Sequence, residues 1–137
     1  MIRQRSYVGS EDQGSAAVEF VLVLPVLLLI LFAIVDFGRM LNAKIVLSEA
    51  AREGARAVAL AGPSAADQRV NAVVSDLSGD IDRPYAVQGC NPDDPTSDAT
   101  VTLTYHFEFV TPLAVLAGFG DSDHRIALTA TGVMPCL

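Results

Sequence analysis

The sequence predicts an α+β chain: a long N-terminal helix, half of it apolar enough for a membrane, followed by a short helix and a small antiparallel β-sheet. Three observations carry this. Residues 15–61 hold a long apolar run that passes into a helical period, with Pro25 as the one strong breaker. Gly62-Pro63 then interrupts the pattern. Near the end, Val101, Leu103, Tyr105, Phe107 and Phe109 alternate with Thr102, Thr104, His106 and Glu108, the period of a half-buried strand.

Residues 1–14 are polar and aperiodic, with Gly9, Ser10, Glu11, Asp12 and Gln13 in succession, and read as a disordered leader outside the fold. The helix expected over 15–61 would be about 67 Å long at ~1.5 Å per residue, more than a bilayer needs. Its membrane part is placed at about 16–37 and its second half beyond the lipid. Pro25 removes a backbone donor, and Gly38 adds a second weak point, so both are candidate kinks. Beyond the membrane part, Leu41, Ile45, Ser48, Ala51, Ala55 and Val58 share one helical row and Leu47, Ala50, Gly54 and Ala61 another. Lys44, Glu49, Arg52, Glu53 and Arg56 fall elsewhere. The small residues Ala51, Gly54 and Ala55, with Ala50 and Ala57, would let a sheet or another helix approach closely.

Residues 62–137 then form a small α+β domain. Ser64 is expected to cap a second helix, with Asp67 three residues on, Val70, Val73, Val74 and Leu77 as its buried stripe and Gly79 as its stop. Strands are expected at 85–89, 101–109 and 125–134, with Ile126, Leu128 and Ala130 on one face of the last.

The chain has 137 residues, which leaves room for one membrane helix and one small domain whose core would be marginal alone. A net charge of -7 argues against nucleic acid as a partner. The two cysteines, Cys90 and Cys136, both follow the apolar run, where an oxidising compartment would let them pair; the alternative is two unrelated thiols. In simple meander order they would sit on flanking strands about 9–10 Å apart, beyond disulfide reach unless the ends curl inward. Pro135 favours such a curl. No CxxC pair or His-rich cluster accompanies them, so zinc is not expected.

No cofactor and no catalytic constellation is expected. His106 lies on the polar side of a strand and His124 is isolated, so an enzyme would need a pocket joining one of them to acids. Residues 118–120 (Gly-Phe-Gly) lack the continuation of a phosphate loop. The 91–98 loop carries several oxygen ligands without EF-hand spacing, the composition of an ordinary exposed turn.

The most informative residue is Glu19, the one carboxylate within the apolar run and five residues after Gly14. A charge there costs roughly a few kcal/mol and calls for a partner, unless it snorkels to the interface. The run is too long, and too free of a following Ala-x-Ala site, for an ordinary secretory signal. Gly14 and Ser15, Glu19, then residues 36–39 (Asp-Phe-Gly-Arg) and 48–57 (Ser-Glu-Ala-Ala-Arg-Glu-Gly-Ala-Arg-Ala) together resemble the TadE-like family, with weaker similarity at 101–105 and 111–113. Members of that family are minor pilins or pseudopilins of the tight-adherence (Tad) pilus system. The resemblance implies cleavage between Gly14 and Ser15 by a prepilin peptidase, and pairing of Glu19 with the new α-amino group of Ser15. It further implies membrane lipid, other Tad pilus subunits and the inner-membrane assembly platform as partners.

Arg3 and Arg5 before the run balance Arg39 and Lys44 after it, so basic residues do not choose an orientation. The cysteines and the resemblance favour a cytoplasmic N-terminus and an extracytoplasmic domain. The competing reading is an uncleaved, single-pass, membrane-anchored binding module.

Overall fold

A computed structural model describes residues 11–77, 79–94, 96–111 and 125–136. Helix α1 spans Glu11–Ala61, a one-turn 3-10 helix Pro63–Ala65, and helix α2 Ala66–Val74. The strands are β1 (Asp80–Ile81), β2 (Ala86–Gln88), β3 (Asp98–Glu108) and β4 (Arg125–Pro135). The expected α+β class, with a long helix, a short helix and a small antiparallel sheet, is what forms.

Helix α1 is 51 residues long and continues through both Pro25 and Gly38. It also begins earlier than expected, four residues before Ser15, because nothing between Glu11 and Gly14 excludes helical backbone. Its other end is sharply set. Gly62 takes φ 88°, ψ 173°, a conformation that is essentially glycine's own, while its N–H still bonds the carbonyl of Val58 at 2.9 Å.

Pro63 opens the 3-10 turn, and this displaces the start of α2 by one position from the one expected. Ala65, not Ser64, occupies the capping position, and no side chain bonds the helix N-terminus. The buried stripe of α2 is Ala66, Val70 and Val74; Val73 and Leu77 pack only partly against the core. The helix ends at Val74, before Gly79. Position 79 is tight for another reason: a Cβ there would lie 2.5 Å from the Tyr105 hydroxyl and 2.6 Å from its ring, so that buried side chain would have to shift.

Strand β3 is the spine of the sheet. Along one edge it pairs antiparallel with all of β4, from Asp98 opposite Pro135 to Glu108 opposite Arg125. Its other edge is shared: β2 takes the first half, with Val87 opposite Val101, and β1 the second, with Ile81 opposite Tyr105. The two-residue β1 was not expected, since so short a strand carries no period. Between β1 and β2 the Arg83–Pro84 peptide is cis.

One face of β3, namely Ala99, Val101, Leu103, Tyr105 and Phe107, is buried against Ala43, Leu47, Ala50, Ala51, Ala55 and Val58 of α1. The core therefore straddles the boundary at residue 62: the outer half of the helix is its central element. Small residues decide how closely the layers meet. A Cβ on Gly54 would lie 2.9 Å from Val70 Cγ2 and 3.4 Å from Val101 Cγ1, so α2 and β3 converge on that glycine, with buried Ala51 and Ala55 beside it.

Candidate membrane and assembly helix

The first half of α1 is built almost wholly of Val, Leu, Ile, Phe and Ala, and none of it is covered by the rest of the chain. Large apolar side chains from Val18 to Leu31 are exposed, Leu22 by 72%. It belongs to the one helix, among the described residues, that is long and apolar enough to cross a membrane. So much uncovered apolar surface is unstable in water and calls for lipid or other helices. Gly14, Ser15 and Glu19 all lie on this uncovered stretch and are exposed. The chain itself offers Glu19 no ion pair or hydrogen bond among the described residues.

Asp36 marks the change from bare helix to covered helix. It was legible in the sequence only as the charge that ends the run, yet its side chain is buried, at 1% exposure. Three groups converge on the carboxylate. The Val110 N–H donates weakly to Oδ1 (3.4 Å), the Thr111 hydroxyl donates to Oδ2, and Arg39, one turn along α1, places Nη1 3.5 Å from Oδ1. The Arg39 guanidinium also lies 5.3 Å from the centre of the Phe107 ring, which meets Phe109 edge to face at 5.4 Å. Asp36 thereby ties the end of β3 to the helix where the apolar run stops. An acid three residues before an arginine at the end of an apolar run was the available signal, but nothing local names Thr111 as its partner.

A second tie lies further along. The Lys44 ammonium donates to the Thr129 carbonyl of β4, so a lysine that falls off the apolar rows of the helix holds the edge strand to it. From the outer end of the membrane part onward the helix still exposes apolar side chains: Phe37 (60%), Leu41 (50%) and Ile45 (58%).

At the far end of the sheet, Cys90 and Cys136 form a disulfide with Cα atoms 5.7 Å apart. They follow β2 and β4, which flank β3, so the strand ends do curl inward across the start of β3. The Cys136 N–H reaches the Ser97 carbonyl at 3.3 Å.

Several polar side chains elsewhere in the domain are engaged by near neighbours. Asp67 accepts from the Tyr85 hydroxyl at 2.5 Å and lies 3.7 Å from Arg83. Burial, then the bond to Asp67, pushes the Tyr85 hydroxyl pKa well above its ordinary value. His106 Nε2 is 3.0 Å from Asp82 Oδ1 at the surface. In the 91–98 loop, Asn91 Oδ1 accepts from Asp93 N–H, and Asp94 Oδ1 from both Thr96 N–H and the Thr96 hydroxyl. Those bonds hold the Asp94 carboxyl below its usual range. Among the described residues no group of three His, Cys, Asp or Glu side chains gathers as a metal site. His124 and residues 118–120 lie outside the described residues.

Comparison with known proteins adds one finding at the helix. Residues 14–56 match the family model described as TadE-like protein. The match begins at Gly14 and takes in Glu19, Asp36 and Gly54; it does not extend to 101–105 or 111–113. No curated protein and no solved structure matches the chain.

Proposed function

We propose, for a chain that is TadE-like over residues 14–56, that it is a minor pilin or pseudopilin of a Tad-type pilus, matured by a prepilin peptidase between Gly14 and Ser15. The TadE-like segment supports the coarser reading, a Tad-pilus-associated pilin-like protein with a single apolar helix as its membrane anchor. The observation that carries the proposal is the division of α1. One half is bare and apolar, while the other forms the spine of a small domain, so the same helix can rest in lipid and later pack among other helices. The exposed Leu41 and Ile45 extend that packing surface beyond the membrane part.

Gly14 supports the processing step. A Cβ added there would meet nothing within 4 Å, so the fold places no demand for glycine at that position. A peptidase that must approach the backbone closely does. After cleavage, Glu19 lies one helical turn from the α-amino group of Ser15, and pairing within or between subunits would give the carboxylate the partner it lacks. The leader would then be cytoplasmic and the disulfide-bonded domain extracytoplasmic, in contact with other Tad subunits and the assembly platform.

N-terminal sequencing of membrane-extracted protein from cells with and without the peptidase tests this. Ser15 at the N-terminus, reverting to an uncut leader without the peptidase, is expected. An uncut leader in both strains would leave the anchored binding module.

A further inference from the structure

We infer that the chain has a second membrane contact: Phe109 and Val110, just past the end of β3, and Ile126 of β4 rest in the interfacial layer of the same bilayer that α1 crosses. This rests on reading the first half of α1 as a membrane span.

The argument starts from depth. Residues 20–35 carry no charge, and a bilayer core takes about 20 helical residues, so Asp36 stands at the outer edge of the hydrocarbon. The Val110 N–H and the Thr111 hydroxyl both reach the Asp36 carboxylate, which fixes the end of β3 at that same depth. The apolar residues there are not turned into the core. Val110 is 73% exposed, and Phe109 and Ile126, half-buried, wall an apolar groove against Ile34, Phe37 and Met40 of the helix. This groove is continuous with the bare surface of α1.

Among the described residues at the same end, the Val110 N–H and the Thr111 hydroxyl both find an acceptor within the chain. Carrying a free amide N–H or hydroxyl into a water-poor layer is costly, but here both donate to Asp36, whose remaining charge faces Arg39. Arg125 is paired with Glu108 at 2.8 Å, on a stem long enough to keep both charges among the headgroups. Backbone and hydroxyl donors already bonded within the chain, beside uncovered apolar side chains, suit a lipid interface. The outer face of β3, with Thr100, Thr102 and Thr104, offers no such surface.

Depth-dependent quenching in the full chain tests the contact. A polarity-sensitive fluorophore is placed on Val110→Cys, on Leu28→Cys in the middle of the run, and on Leu60→Cys, equally exposed but at the far end of α1. Each is labelled with the native disulfide intact and reconstituted in phosphatidylcholine vesicles with or without brominated acyl chains. The Val110 label should emit to the blue of the Leu60 label and be quenched at least about twofold more by brominated lipid, as a depth of about 5–10 Å implies. Val110 behaving like Leu60 while Leu28 is quenched would overturn the contact and leave the membrane span standing. An unquenched Leu28 would remove the span and the contact with it. A blue shift at Val110 that ignores the bromines and grows with protein density would assign the groove to a second copy, against the inference.

Discussion

Gly132 of β4 lies directly against the carbonyl of Ala51 in α1: a Cβ built on the glycine would fall 2.1 Å from that oxygen and 2.6 Å from the next amide nitrogen, Arg52 N. The obstacle is backbone on both sides, so no rotamer change can relieve it. Strand and helix would have to separate. Gly132→Ala should therefore destabilise the domain by about 1–3 kcal/mol, the usual range for overpacking, with the upper end favoured because a main-chain shift is needed. Denaturant unfolding of the detergent-solubilised chain, followed by near-UV circular dichroism, measures it. An unchanged midpoint would mean that helix and strand are not in contact here. Gly14→Ala, where a Cβ meets nothing, should leave the same midpoint unchanged while blocking the proposed cleavage after residue 14.

The Cys90–Cys136 bridge, at a sequence separation of 46, closes a loop worth roughly 4 kcal/mol in the chain-entropy model. For a core this small that is a large share of the total. Cys90→Ser with Cys136→Ser should lower stability by about that amount without altering membrane insertion. Thiol labelling of the unreduced protein should find neither cysteine reactive.

Asp36→Ala removes the acceptor of two hydrogen bonds and leaves Arg39 without its carboxylate. Hydrogen bonds to a charged acceptor contribute about 1.5–3 kcal/mol each when well formed. The Val110 bond is long and Arg39 is partly exposed, so the expected loss is about 2 kcal/mol. Hydrogen exchange should show the loss of protection concentrated at Val110. Adding Arg39→Ala should recover part of it, since the uncompensated charge goes too.

Tyr85 gives a pH signature. Its hydroxyl has an ordinary pKa of 10.0, and the fold raises it through burial and the bond to Asp67. The unfolded chain therefore loses this proton first. The stability contributed by the neutral hydroxyl is complete below about pH 10 and declines as pH rises above it. Tyr85→Phe should cost about 1 kcal/mol at neutral pH and flatten this alkaline decline, as read from unfolding midpoints between pH 8 and pH 11.

Glu19→Ala should leave membrane insertion intact or improved, because insertion favours an apolar side chain. On the proposed maturation, incorporation with other pilus subunits should fall, because burying the Ser15 ammonium among helices would then lack a counter-charge. Fractionation and co-purification measure the two separately. Normal co-assembly of the variant would return Glu19 to an interfacial, snorkelling role.

Much of this architecture follows from the sequence alone because its signals are local and periodic. An apolar run that passes into a 3.6-residue period can only be one long helix, and the alternation from Val101 to Phe107 fixes which face of β3 is buried. The stop at Gly62-Pro63 is equally legible, since one residue needs a positive φ and the next has no N–H. The resemblance of 14–56 to the TadE-like family rests on a contiguous block and could be read directly. What only the tertiary structure decided are relations between distant residues. Asp36 meets Thr111 across 75 positions, Lys44 meets the Thr129 carbonyl across 85, and Gly132 yields to Ala51. None of these has a period, and each residue alone would suit a solvated surface or a tolerated glycine. Ser64 shows the reverse case, a sound local capping signal overridden because Pro63 begins a tighter turn. The cysteines stand between the two: their number allowed one bridge, but whether flanking strands could bring them together depended on how the strand ends curl, which the sheet as a whole determines.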